Sequence, residues 1–207
     1  EADTVQISSP ILDCASFNAD GTRVLTANYH AQKTWLLDEH RMSDGTAVLP
    51  GTGYLELIAQ SLATQSDGMC FEVEDLMFAS PLVASEAAAT CVEIHMRNGS
   101  QNIDFKIQTH TLYEGNEALL THASATVRSM SNNASSRLDL SEINARTTAL
   151  DIKGIWKSPQ EAHLSFGPRW RVMQDIRLGE GEGIAKLSLP DTAKDDLNDG
   201  FLLHPAL

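Results

Sequence analysis

The chain has 207 residues, with 28 acidic against 15 basic side chains and a formal net charge of -13. No basic cluster exists to neutralise phosphates, which excludes a nucleic-acid or anionic-membrane surface. With 42% hydrophobic residues, the chain can bury a sizeable core as one large or two small domains.

Three cysteines, Cys14, Cys70 and Cys91, are odd in number and fit no metal or redox spacing. They read as packing residues of a reducing, cytoplasmic compartment, and no metal site is expected. There is no signal peptide, lipidation motif or long apolar span, so no membrane anchor is expected, and a start at Glu1 without methionine reads as a piece of something longer.

In chain order, Pro10-Ile11-Leu12 and Arg23 to Tyr29 (RVLTANY) read as strands separated by a turn over Asn18 to Gly21. The stretch from Trp35 to Ala63 then places His40 in a polar loop, followed by Gly45, Pro50 and Gly51 and by a helix. Tyr54, Leu57, Ile58 and Leu62 follow helical spacing, and Leu55, Ala59 and Ala63 widen the stripe until little of the circumference is polar, the mark of a buried helix. Thr52 is the expected N-cap, and Glu56 is read as a first-turn acid suited to the positive end of the helix dipole.

Phe71 to Phe78 begins with period-two alternation that Ser80-Pro81 ends. The clearest strands follow. Val92, Ile94 and Met96, then Ile103, Phe105 and Ile107, then Thr121, Ala123, Ala125 and Val127 alternate with polar residues, and Asn98-Gly99 signals a hairpin between the first two. One buried helix followed by half-buried antiparallel strands predicts an α+β layer with the sheet wrapped on the helix.

From Arg128 the composition turns polar, and residues 131–160 read as a linker between a first unit, 1–130, and a second, 161–207. Within it LDIKGIWK, residues 150–157, reads as a short helix. In the second unit Val172, Ile176 and Leu178 pair with Ile184 to Leu189 across an acidic, glycine-rich turn.

The segment His40, Gly45, Pro50, Gly51 with Gly53-Tyr54-Leu55-Glu56-Leu57 resembles the signature of dehydratase domains of modular polyketide synthases. In that family a catalytic histidine precedes a glycine and then a Pro-Gly that opens the central helix of a hotdog fold. Four residues, Arg41 to Asp44, separate His40 from Gly45, where the family usually has three. Phe166-Gly167-Pro168-Arg169-Trp170 matches the opening of a second hotdog, with Phe166 where the family usually has tyrosine. Leu203-His204-Pro205-Ala206-Leu207 resembles the start of the motif His-Pro-Ala-Leu-Leu-Asp, which carries the partner aspartate, and the sequence stops before that residue. The resemblance implies a double hotdog, its second half incomplete in this chain.

It also implies a reaction: loss of water from a β-hydroxyacyl thioester carried on the phosphopantetheine of an acyl carrier protein, with no metal or redox cofactor. His40 would be the base, helped by backbone N–H groups at Gly51 as oxyanion donors. Gly45 and Pro50 would aim the loop, Phe166, Gly167 and Pro168 with His204 and Pro205 would form the second-half pocket, and His204 would order its motif. The expected partners are the acyl carrier protein, neighbouring synthase domains and a second copy in a homodimer. Arg169 and Arg171 are the expected basic patch for carrier docking. Two other readings keep the fold: a related isomerase or cyclase domain, and a non-catalytic hotdog that binds acyl chains or scaffolds its multienzyme. His30, His95, His110, His122 and His163 read as structural or exposed, His95 and His122 from the polar phase of their strands, and Asp38 and Glu39 read as a solvated face.

Overall fold

The computed structural model describes residues 4–65, 70–130, 137–151, 157 and 159–207. Strands β1 (Val5–Gln6), β2 (Cys14–Phe17) and β3 (Arg23–Tyr29) lead into a single helical turn, α1 (Trp35–Asp38), the short strand β4 (His40–Met42) and the long helix α2 (Gly51–Ala63). After α2 come β5 (Phe71–Phe78), β6 (Thr90–Asn98), β7 (Asn102–Tyr113) and β8 (Asn116–Ser129). All but β4 join one antiparallel sheet in the order β1-β2-β3-β6-β7-β8-β5.

Alternation decides which face of this sheet is apolar. Leu25, Ala27, Val92, Ile94, Met96, Phe105, Ile107, Ala123 and Ala125 all point to one side and are buried. Against them lie Leu57, Ile58 and Leu62 of α2, each at most 1% exposed. Burial of each such side chain contributes about 1.5–3 kcal/mol. The sheet thus curls around α2 as the hydrophobic pattern predicts.

Several local expectations need correction. Pro10 to Leu12 form no strand; the strand lies at Cys14–Phe17, and Tyr29 holds the preceding segment by donating its hydroxyl to the Ile11 carbonyl at 3.0 Å. Pro50, not Thr52, occupies the N-cap of α2, in an extended conformation, and no side chain caps the helix. Glu56 therefore sits in the second turn, fully buried, and Ala63 is exposed. His122 is only 3% exposed, because the β7–β8 register shifts at Ile107/Gln108 and turns this residue inward. There it contacts the Thr109 hydroxyl at 2.9 Å and the Pro81 carbonyl at 3.0 Å.

The segment read as a linker contains a helix, α3 (Leu140–Arg146), because Asp139 accepts hydrogen bonds from the Ser141 and Glu142 N–H groups as an N-cap. It is followed by β9 (Thr148–Ala149). The helix expected over 150–157 falls largely on 152–156, outside the described residues. Further on, β10 (Leu164–Phe166), β11 (Met173–Leu178) and β12 (Gly183–Leu187) complete the strands. β11 and β12 form the expected hairpin, and β9 pairs with the other edge of β11. β10 instead crosses to the first half and pairs antiparallel with β4, setting Phe166 opposite His40. No helix among the described residues is long and apolar enough to cross a membrane.

Candidate active site

His40 opens β4, and its backbone is held from both sides. Phe166 is its register partner on β10, and on the other side Val48 N–H donates to the His40 carbonyl at 3.1 Å. Nδ1 of the ring lies 2.8 Å from the Val48 carbonyl oxygen. A carbonyl only accepts, so Nδ1 carries the proton and Nε2 keeps its lone pair. His40 is 9% exposed, and its ring packs against Phe166 and Trp170, with centroids 5.4 and 5.6 Å away. Burial lowers the imidazole pKa below its ordinary value, against the opposing pull of the Val48 hydrogen bond. The arrangement is a histidine in apolar surroundings whose Nδ1 is fixed by the Val48 carbonyl and whose Nε2 has no hydrogen-bond partner among the described residues, with burial favouring the uncharged ring.

The loop from His40 to Pro50 is a tight hairpin. Met42 N–H donates to the Thr46 carbonyl at 2.8 Å, and Gly45 N–H returns to the Met42 carbonyl at 2.9 Å. Gly45 has φ +90, the left-handed conformation that favours glycine. Ser43, Asp44 and Gly45 all lie at the exposed tip, so the extra residue between His40 and Gly45 is absorbed away from the ring. Arg41 closes the hairpin from outside, donating to the carbonyls of Asp38 (3.0 Å) and Gly45 (2.8 Å) and pairing with Asp38 and Glu86.

Pro50 leads from this hairpin into α2; the Gly53 N–H donates to the Pro50 carbonyl at 2.9 Å, while those of Gly51 and Thr52 come before any intrahelical acceptor. Gly51 is exposed there, and a Cβ on it would meet only the Phe78 ring at 3.5 Å, an ordinary contact. A cavity of about 360 Å³ opens at this helix end, lined by Leu49, Gly51, Tyr54, Phe78 and Ser80 to Pro81. Its apolar wall and the Gly51 N–H at the positive end of the helix suit an oxygen that gains negative charge.

The second half is fastened to the histidine strand by Glu39. Gly167 N–H donates to the Glu39 carbonyl at 2.8 Å. The Glu39 carboxylate accepts from the Arg169 N–H at 2.7 Å and from its guanidinium at 2.6 Å. Gly167 is required, since a Cβ there would overlap the Glu39 side chain. Arg169 also donates to buried Asp196 at 2.6 Å and lies over the Trp35 ring, 5.2 Å from its centroid. His204 stacks on the other side of this cluster, 5.4 Å from Trp35 at 15°. Its Nδ1 accepts from the Ala206 N–H at 3.2 Å, and Pro205 beside it is buried. Nε2 of His204 is buried 3.6 Å from Asp196 and has no hydrogen-bond partner among the described residues. Burial lowers its pKa as well.

His40 is therefore paired with Phe166, and Gly167 lies against Glu39, whereas Pro50 and Gly51 stand at the start of α2, where Gly51 lines a cavity that His40 does not; Gly45 is at the hairpin tip, Pro168 is exposed, and His204 stacks on Trp35 with Pro205 beside it. Two sequence expectations fail here. Arg169 and Arg171 are no free basic patch, because Arg169 is neutralised by Glu39 and Asp196 and Arg171 by Glu161, at 2.8 Å through both nitrogens. Glu39 is no solvated side chain, with 12% of it exposed. Sequence reasoning missed Glu39, Trp35, Trp170 and Asp196, since their partners lie about 30 to 170 positions away and no local spacing marks them. The arginine inside FGPRW was the one available hint of a waiting carboxylate.

Two family models match the chain, "polyketide synthase dehydratase domain" over residues 10–110 and "polyketide synthase dehydratase N-terminal domain" over residues 138–207. The chain belongs to the polyketide synthase dehydratase family. Among curated relatives, the dehydratase chain is 27% identical over 188 residues, 89% of its length, to the spectinabilin polyketide synthase system protein NorA' of Streptomyces orinoci. It is also 27% identical over 206 residues, 96% of its length, to the polyketide synthase GfsA of Streptomyces halstedii. It spans only 5% and 3% of those proteins. Among solved structures, the dehydratase domain from the terminal module of the rifamycin polyketide synthase superposes with a TM-score of 0.82 at 20% identity, covering 99% of this chain and 73% of that one. The dehydratase domain from the CurF module of curacin polyketide synthase gives 0.80 at 19%, covering 99% and 70%. The fold is thus a double hotdog whose second half is incomplete in this dehydratase chain.

Proposed function

We propose that this chain supplies the base, the oxyanion donors and part of the second-half pocket of a dehydratase acting on β-hydroxyacyl thioesters carried on an acyl carrier protein. The observation that carries this reading is the 2.8 Å contact between His40 Nδ1 and the Val48 carbonyl. It leaves Nε2 as the one nitrogen able to take a proton.

In this scheme Nε2 removes the α-proton of the thioester. The electrons move toward the thioester oxygen, where the Gly51 N–H and the N-terminus of α2 stabilise the enolate-like charge, a contribution of roughly 3 kcal/mol for a well-placed donor. Collapse of the enolate expels the β-hydroxyl, which takes up a proton and departs as water, leaving the α,β-unsaturated thioester. The proton donor to that hydroxyl is the partner aspartate implied by the motif beginning at Leu203. Phe166 and Trp170 keep water from the imidazole and so hold it neutral. The chemistry needs neither metal nor redox cofactor. The phosphopantetheine arm delivers the acyl chain, and neighbouring synthase domains and a second copy of the domain are the further partners.

Solved relatives support these roles by analogy: CurK dehydratase is known as inactive mutants with a histidine changed to phenylalanine and with an aspartate changed to asparagine. The test is His40→Ala in the intact polypeptide, with a β-hydroxyacyl thioester as substrate. Turnover should fall by about 10²–10⁴ or more, with the fold retained by circular dichroism and melting lowered only modestly, since the ring leaves a cavity and the Val48 carbonyl loses its partner. Undiminished turnover would remove His40 from the mechanism.

A further inference from the structure

Glu56 is fully buried in the second turn of α2 and takes no part in the chemistry above. Among the described residues, each partner of its carboxylate is a neutral donor. Oε1 accepts from the Leu202 N–H at 3.0 Å and from Gln60 Nε2 at 2.7 Å, and Oε2 accepts from the Leu203 N–H at 2.5 Å. Gln60, one turn further along, donates its other proton to the Gly200 carbonyl at 2.8 Å and accepts from the Ser9 hydroxyl at 3.0 Å. Burying a carboxylate is costly unless hydrogen bonds to its charged form offset the desolvation. Here desolvation raises its pKa, and the bonds from Gln60, Leu202 and Leu203 oppose that rise. An ordinary core position would carry leucine. A carboxylate in the middle of a buried helix is explained by the segment it grips.

That segment is the approach to the second motif. Gly200 turns with φ +86, Phe201 packs on Trp35 at 5.9 Å, Leu202 and Leu203 are fixed by Glu56, and His204 follows at once, stacked on Trp35. Gly51, at the helix end facing the acyl cavity, lies five residues before Glu56, about 7.5 Å along the same rigid rod. His40 is tied to that rod through Val48 and Pro50.

We propose that Glu56, with Gln60, is a positioning residue that clamps residues 200–203 onto α2 and so sets the place of the second motif relative to His40 and Gly51. One helix then serves as the common reference for both halves of the site. The inference rests on the dehydratase reading for its effect on rate, but the clamp itself can be measured without turnover.

The test compares Glu56→Gln and Gln60→Met with wild type in the intact polypeptide, by amide hydrogen exchange and by steady-state kinetics on a carrier-free β-hydroxyacyl thioester. An amide at position 56 has one oxygen and must turn its NH₂ toward a donor, so the clamp fails with little change in volume. Exchange at Leu202 and Leu203 should accelerate at least tenfold in Glu56→Gln while β6 and β7 stay protected. kcat should fall at least tenfold with KM within twofold, a split that general loosening would not produce. Gln60→Met should move both readouts in the same direction by threefold or more.

Unchanged exchange at the two amides, or faster exchange with unchanged kcat, would overturn the proposal. If Glu56→Gln exchanges everywhere and so fails to fold, the same criteria are read on Gln60→Met. If wild type itself does not turn over the thioester, the dehydratase reading fails and exchange alone decides whether the clamp exists.

Discussion

The two halves of the molecule are held together by different physics. Residues 10–130 enclose one large apolar cluster around α2, including Leu25, Leu57, Ile58, Ile94 and Phe105, none more than 1% exposed. In the described part of 138–207 the corresponding cluster is Val172, Leu189 and Ala206, extended by Trp35 of the first half and by Trp170. What this half lacks in apolar burial is supplied by ion pairs and by strand pairing to its neighbour: Arg169 with Glu39 and Asp196, Arg171 with Glu161, Arg146 with Glu182, and β10 on β4. The first half should therefore respond to mutation as a packed core, whereas the second should respond as a docked segment, losing its place before the first half loses its fold.

The largest effect expected from this contrast is in the core. Leu57→Ala should cost about 2–5 kcal/mol, the range for a buried leucine that leaves a cavity. Chemical denaturation followed by circular dichroism should show the whole fold weakened. A loss below about 1 kcal/mol would mean that α2 is not the centre of packing. Next is Gly167→Ala, whose methyl group overlaps Glu39. Forcing extra volume into such a contact costs about 1–3 kcal/mol. Turnover should fall with it, because β10 can no longer lie against the His40 strand. Normal activity and melting would break the proposed link between the halves.

Arg169→Met should cost a similar amount, about 1–3 kcal/mol, since it leaves the Asp196 and Glu39 side chains, 8% and 12% exposed, without their cation, while solvent reaching the partly exposed guanidinium site offsets part of the loss. It should lower turnover of carrier-bound and carrier-free thioesters alike. A loss confined to carrier-bound substrate would restore the docking role that the ion pairs argue against. The smallest effect belongs to Arg41→Ala at the hairpin surface, below about 1 kcal/mol by melting. A larger change would show that the His40 hairpin depends on its outer clamp.

The same contrast explains what could be read from the sequence. The buried helix and strands β3 and β5 to β8 follow from periodicities of 3.6 and 2, because a large core imposes a local pattern on the residues that line it. Glu56 misled because a carboxylate near a helix start is ordinarily a dipole partner, and only the return of residues 202 and 203, some 146 positions later, gives it another role. His122 misled because a register shift in β8 changes phase without any glycine or proline to announce it. Helix α3 was hidden in a polar run with no apolar stripe, and only the Asp139 cap with Glu142 three residues on marked its start. In the candidate site, the hairpin from His40 through Gly45 to Pro50, and Gly51 at the start of the buried helix, were legible because they lie within one short motif. Glu39, Trp35 and Asp196 were not, because they matter only through contacts with the other half.

The proposed role of His40 as base requires its proton on Nδ1 and its lone pair on Nε2. The most direct test is a pH titration of the His40 ring followed by ¹⁵N-resolved NMR. The expected result is the Nδ1–H tautomer and a midpoint below about 6.5, the ordinary histidine value, because burial disfavours the charged ring. The acid limb of kcat/KM should then follow that midpoint, with activity rising as pH rises and Nε2 loses its proton. An Nε2–H tautomer, or a midpoint at or above the ordinary value, would contradict it.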